Sequence, residues 1–159
     1  ECLKSAAKGN WDRALALSLE AKQGADACCG DLNGEPFQWI MDGDSRLGAV
    51  LEVILDGRYY WMPQNRLASL KSESPGSLSH SLWLPASITL HNGAYIHGFL
   101  PGRYPVSAST QITEKLGKTT GWEEPVRGFY CGSGQKLYMT DHNDCAVLEM
   151  RRLSFTSSA

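Results

Sequence analysis

Val50-Leu51-Glu52-Val53-Ile54-Leu55-Asp56-Gly57-Arg58-Tyr59-Tyr60-Trp61-Met62 is the stretch on which the fold turns. β-Branched, aliphatic and aromatic residues run up to and away from Asp56-Gly57, a dipeptide that tolerates the positive φ angles of a type I′ turn. Two antiparallel strands over 50–55 and 58–62 are therefore expected. A two-residue loop fixes the register, with Leu55 opposite Arg58, Val53 opposite Tyr60 and Leu51 opposite Met62. Side chains alternate along a strand, so Leu51, Val53, Tyr60 and Met62 share one face, expected to be core, while Glu52, Ile54, Tyr59 and Trp61 share the other.

Outward from this hairpin the chain stays β-rich. Asn92-Gly93 predicts a second hairpin between 86–91 and 94–100, with Leu90 opposite Tyr95 and Ile88 opposite His97. A strand is expected over 67–72, then a Ser-rich loop with a short turn or helix near 77–82, and one or two helical turns in 110–117. Residues 135–140 read as a strand, 141–144 as a loop, and 145–155 as a third hairpin. Trp39, Trp61 and Trp83 are evenly spaced, but the turn dipeptides fall at different offsets from each, so no internal repeat is present.

Residues 1–23 are different in kind. Trp11, Ala14, Leu15, Leu19 and Lys22 recur at helical spacing, and two helices are expected to meet at Gly9-Asn10, with Asn10 as cap and Asp12 in the favoured first turn. Gly9-Asn10-Trp11-Asp12-Arg13-Ala14-Leu15 is similar to the start of a tetratricopeptide helix. One such pair cannot bury its own apolar face, so it must dock on the rest of this chain or on further repeats preceding Glu1, which opens on helical sequence without an initiator Met. Gly24, Gly30, Asn33, Gly34 and Pro36 mark the change of architecture. The fold class expected is α+β: a tetratricopeptide-like helix pair over 1–27, then a β-rich domain over 28–159 whose antiparallel hairpins form a small barrel or curved sheet.

With 159 residues, 42% of them hydrophobic, the chain can bury one sound core. Fifteen Lys and Arg against 17 Asp and Glu give a net charge of -2, which supplies no field to attract nucleic acid or an anionic membrane. No apolar run approaches the roughly 18 residues of a membrane span, and no secretory signal is visible, so a soluble cytoplasmic protein is expected. Five cysteines, two of them adjacent, make a poor disulfide framework and fit a reducing compartment. They lack C-x-x-C spacing, and no metal or other cofactor is expected.

Motifs that carry chemistry are few. Cys131-Gly132-Ser133-Gly134-Gln135 lacks the Lys and Ser or Thr of a phosphate loop. Asp42-Gly43-Asp44-Ser45-Arg46 begins like a calcium loop, yet Leu47 stands where Gly is required and Val53 where a bidentate Glu is required. No nucleophile elbow is present, and His80, His91, His97 and His142 lack metal-site spacing. Two functional readings stay open. In one, Asp42, Asp44 and Arg46 converge with a histidine on the pocket of a hydrolase or small-ligand-binding domain. In the other, Trp39, Tyr59, Tyr60 and Trp61, near Arg46, Arg58 and Arg66, present the residue types that anchor protein interfaces. Only exposed rings would count toward the second. An Arg46 buried against Asp44 would make that motif a structural ion pair.

Leu32-Asn33-Gly34-Glu35-Pro36-Phe37-Gln38-Trp39-Ile40, Asp42, Asp44-Ser45-Arg46-Leu47-Gly48, Leu51-Glu52 and Gly57-Arg58-Tyr59-Tyr60-Trp61 resemble, in order and spacing, the core of the ImpE or TagJ family. Leu82-Trp83 with Pro85-Ala86, Leu100-Pro101 with Arg103-Tyr104-Pro105, and Gly134-Gln135 followed by Arg151-Arg152-Leu153 extend the resemblance over nearly all of 28–155. The family pattern often has Ala where Gly43 stands, Pro where Ala49 stands and Phe where Gln64 stands. The resemblance implies tetratricopeptide-like helices ahead of a β-rich domain, and a cytoplasmic accessory component of bacterial type VI secretion without enzymatic activity. The partner it implies is the contractile sheath, notably its small subunit TssB. Self-association into a homo-oligomer is a further expectation. Trp39, Asp42, Asp44, Ser45, Arg46, Tyr59, Tyr60, Trp61 and Arg66 are the candidate partner-binding or motif residues, and no catalytic residue is assigned.

Overall fold

A computed structural model describes residues 1–26, 28–107 and 110–156. The chain begins with helices α1 (Cys2–Ala7) and α2 (Trp11–Gln23) and continues into strands β1 (Gly30–Leu32), β2 (Glu35–Phe37), β3 (Ile40–Asp42), β4 (Val50–Leu55), β5 (Arg58–Pro63) and β6 (Leu67–Ser72). Helix α3 (Leu78–Leu82) leads into β7 (Trp83–Leu90) and β8 (Tyr95–Pro101), and α4 (Ile112–Lys115) precedes β9 (Thr120–Val126), β10 (Phe129–Gly134), β11 (Leu137–Thr140), β12 (Asp144–Ala146) and β13 (Arg152–Phe155). The boundary expected at residue 27 falls outside the described residues.

Eight strands form one antiparallel sheet in the order β2-β1-β13-β6-β7-β8-β4-β5; β10 pairs with β9, and β12-β11-β3 form a third sheet. The class is α+β, but the large sheet is open. Its edges, β2 and β5, do not pair, so the barrel alternative is not what forms. Both edges carry features that discourage further pairing: Pro36 and Glu35 in β2, Arg58 and Pro63 in β5. Leu51, Val53, Met62, Leu67, Leu70, Leu84, Ile88, Leu100 and Leu153 line the inner face and meet Ile40, Tyr138, Val147 and Met150 in one core.

The β4–β5 hairpin has the expected register throughout, and Asp56 (φ 49°) and Gly57 (φ 73°) supply the two left-handed turn positions. Tyr60 departs from expectation. It opposes Val53, but among the described residues no strand lies beyond β5 to cover it, and it remains 43% exposed. The second hairpin is shifted by one residue: Thr89 opposes Tyr95, Ile88 opposes Ile96 and Ser87 opposes His97. The reason is its turn. Leu90 N–H bonds to the Ala94 carbonyl across His91-Asn92-Gly93, with Gly93 at φ 86°, a three-residue loop in place of a two-residue one. His97 consequently faces Ser87 on the outer side and not Ile88.

No third hairpin forms within 145–155. β12 pairs with β11, whereas β13 crosses to lie between β1 and β6, turned there by a 3₁₀ segment at Val147–Glu149. Two hairpins that the sequence reading did not assign also form: β1–β2 about Asn33 (φ 56°) and Gly34 (φ 95°), and β9–β10 with Gly128 (φ 84°) at its turn. The helix pair docks on the second of these. Ala6, Ala14 and Phe129 are buried together, and the Trp11 and Phe129 rings lie 6.2 Å apart. The buried stripe of α2 is Ala14 and Ser18, leaving Leu19 exposed. Asn10 occupies the N-cap but its side chain makes no capping bond; its backbone N–H closes the turn on the Ser5 carbonyl instead.

Candidate functional site

β3 delivers Asp42 to the interior, and the loop 43–48 that returns the chain to β4 is bonded to four separate elements. Gly43 N–H reaches the Leu137 carbonyl at 2.9 Å, Asp42 N–H the Gly48 carbonyl at 2.9 Å, and Ser45 N–H the Tyr130 carbonyl at 2.8 Å. Ser45 Oγ accepts from Tyr130 N–H, while Ser18 Oγ of α2 donates to the Ser45 carbonyl at 2.7 Å. Trp122 lies where a Cβ at Gly43 would be, 2.6 Å from its ring, which suits glycine at this position. The loop thus joins the helix pair to all three sheets' neighbourhoods.

Asp44 is fully buried and takes donors on both oxygens: Arg46 N–H at 2.8 Å, Arg46 Nε–H, Arg46 Nη2–H and Gly132 N–H at 2.8 Å. The side chain of Arg46 is only 25% exposed. Its hydrogen bonds to Asp44 raise its pKa still further, so the guanidinium stays charged. Asp44 and Arg46 thus form an ion pair in which the carboxylate is fully buried and the guanidinium partly so.

Asp42 belongs to a second buried group that sequence reasoning missed. Its Oδ2 accepts from Lys136 Nζ at 2.7 Å, and its Oδ1 from Tyr104 Oη–H at 2.6 Å and Asp44 N–H at 2.9 Å. Lys136, 1% exposed, also pairs with Glu52 and sits 4.5 Å over the Tyr104 ring. Burial pushes the Asp42 carboxyl up while Lys136 and Tyr104 pull it back down. Burial and the neighbouring Asp42 charge push the Tyr104 hydroxyl far up, so it remains a donor. Among the described residues no buried side-chain polar atom lacks a partner. Two carboxylates with every oxygen engaged and no opening to solvent are poor candidates for acid and base work. The only advance signal for Lys136 was a lysine placed within a run otherwise suited to a buried strand.

The network continues to the surface. Glu52 accepts from Tyr59 Oη–H, and Tyr59 Oη in turn accepts from Trp61 Nε1–H. Burial and the bond to Glu52 raise the Tyr59 hydroxyl well above its ordinary value. Tyr59, Tyr60 and Trp61 are 54%, 43% and 43% exposed, so these rings are surface, not core. Tyr60 and Trp61 share a groove of about 550 Å³ with the exposed Arg66, and Tyr59 lines another with Glu52 and Trp83. Trp39 is exposed between β2 and β3 and makes no ring pair with the other three among the described residues. The nine candidates therefore separate into an interior set, Asp42, Asp44, Ser45 and Arg46, a surface set on and beside β5, and Trp39 apart.

Among the described residues no cluster of His, Cys, Asp and Glu has metal-site geometry, and no helix is long and apolar enough to cross a membrane. The five cysteines are unpaired. A family model described as ImpE protein matches residues 34–154. The type VI secretion system accessory component TagJ of Pseudomonas aeruginosa is 39% identical over 98% of this chain and 54% of its own length. The crystal structure of protein VPA1032 from Vibrio parahaemolyticus shares the fold, with a TM-score of 0.87 over 97% of this chain and 58% of that one at 22% identity. The chain spans little more than half the length of these relatives.

Proposed function

The chain belongs to the ImpE family, and from that premise we propose that it is a non-enzymatic accessory component of a type VI secretion system that works in the bacterial cytoplasm by binding the sheath subunit TssB. The observation that carries this reading is the exposed Tyr59-Tyr60-Trp61 run on the edge strand β5, beside Arg66 and backed by the Glu52–Lys136–Asp42 interior. Rigid aromatic and arginine side chains give large contact area at low entropic cost, and a strand anchored by buried charge presents them in one arrangement. The interior set has a supporting role in this reading, since Asp42 and Asp44 spend both carboxylate oxygens, and Arg46 its Nε and Nη2, on contacts within the fold.

The helix pair, read as a tetratricopeptide-like unit over 1–27 and distinct from the β-rich domain over 28–159, braces the loop through the Ser18–Ser45 bond. Calorimetric titration of the chain with TssB tests the proposal. Saturable binding, weakened about tenfold or more by Trp61→Ala or Tyr60→Ala in a folded protein, is the expected result. Binding that ignores both substitutions would move the site off β5, and no binding at all would remove TssB as a partner of this chain.

A further inference from the structure

The outer face of the large sheet carries a second arrangement, separate from the β5 hairpin. Cross-strand registers align Arg152 with Lys71, Lys71 with Ser87, and Ser87 with His97, an unbroken row across β13, β6, β7 and β8. The alternate positions Leu153, Leu70 and Ile88 are buried in the core, so the pleat turns this row to solvent. On one side runs a row of hydroxyls, Ser154, Ser69, Thr89 and Tyr95, again in register. On the other, Pro85 opposes Phe99, and Phe99 opposes Ile54. A groove of about 790 Å³ lies over the first row and the Pro85 and Phe99 wall.

Lys71 and Arg152 are directly opposed like charges, an arrangement that destabilises an antiparallel pair. Neither side chain has a hydrogen-bond or ion-pair partner among the described residues. With Arg151, they place three cationic side chains in the groove against the single carboxylate of Glu73, in a chain whose net charge is -2. The concentration of positive charge here is therefore local and contrary to the composition as a whole. Ser87 Oγ and His97 Nδ1, 3.1 Å apart, continue the row as hydrogen-bonding groups.

We propose that this groove binds a short, extended, acidic segment of a partner protein, with carboxylates on Lys71 and Arg152 and an apolar side chain against Pro85 and Phe99. Four strands at a spacing of about 4.8 Å make a row about 14 Å long, the reach of roughly four extended residues. A groove of about 790 Å³ with an apolar wall is larger and less uniformly polar than one small anion needs. The chain's negative balance opposes a long polyanion or an anionic membrane, whereas a short acidic segment meets only the local field. The proposal is independent of which surface meets TssB.

Calorimetric titration of the chain with a capped hexapeptide of aspartate and glutamate around one phenylalanine tests it, beside the same peptide with every acid replaced by its amide. Saturable binding of the acidic peptide at low salt, weakened about tenfold by Lys71→Gln and by Arg152→Gln, is expected. The amide peptide should not bind. Removing the like-charge contact should also leave the thermal midpoint of Lys71→Gln unchanged or raise it by roughly 1–2 °C. Equal binding of the two peptides, no binding, or complete displacement by millimolar inorganic phosphate would each overturn the proposal, the last in favour of a small-anion site. A fall of several degrees in the midpoint would do so as well, by making Lys71 a structural residue.

Discussion

Asp44 is wholly buried and takes four donors from Arg46 and Gly132, while Lys71, on the outer face of the large sheet, opposes Arg152 and forms no ion pair among the described residues. The interior treats charge in one way and the outer face in another. Inside, Lys136 answers both Asp42 and Glu52, and Tyr104 fills the remaining acceptor site, so the loop 43–48 has one arrangement that satisfies every group. Outside, like charges stand in register and aromatic rings face water. The contrast teaches where interaction energy is already spent and where it is left for a partner. A buried ion pair contributes little net stability, because desolvation offsets attraction, yet removing one member strands the other at high cost. An exposed, unpaired cation costs little to remove and has its full electrostatic capacity available.

Substitutions that strip one partner from the interior should therefore do the most damage. Lys136→Met leaves two carboxylates facing each other without a cation and should cost about 3–5 kcal/mol, a large part of the roughly 5–15 kcal/mol that holds a domain of this kind together. Urea unfolding measures it; a loss under about 1 kcal/mol would mean the interior charges do not hold the loop. Asp44→Asn removes the negative charge that Arg46 and the Gly132 N–H converge on, and should cost about 2–3 kcal/mol in the same assay. Tyr104→Phe is smaller. It leaves Leu137 N–H and one Asp42 oxygen without their hydroxyl partner, for about 1–2 kcal/mol with secondary structure intact by circular dichroism.

The same contrast explains what could be read from the sequence. The β4–β5 hairpin was legible because Asp56-Gly57 admits one turn type and the strand periodicity agrees with it, and the Asp44–Arg46 pair because its members lie two residues apart. The β7–β8 register was not, since Asn-Gly serves in a three-residue loop as well as a two-residue one. Lys136 joins Asp42 and Glu52 from the link between β10 and β11, far along the chain, and local periodicity assigns a lysine to solvent. The Arg152-Lys71-Ser87-His97 row depends on β13 entering between β1 and β6, a crossing that the expected third hairpin concealed. Tyr60 shows the limit of alternation itself: its partner Val53 is buried, but an edge position leaves the outer half of the pair uncovered.

Trp61→Ala should have the least effect on stability and so divides the two regions most cleanly. The ring is nearly half exposed on an edge strand, and its Nε1–H bonds to Tyr59 Oη, which keeps its own bond to Glu52. Truncation should cost about 1 kcal/mol or less. If β5 is the face that meets the sheath subunit, the same change should weaken binding by about 2 kcal/mol, near thirtyfold, because an interface aromatic loses its full contact area. A variant that loses stability and affinity by equal amounts would place Trp61 with the interior, as a prop for the Glu52–Lys136–Asp42 network. A loss of affinity at nearly constant stability would place it with the outer face, where side chains are held for contact and not for the fold.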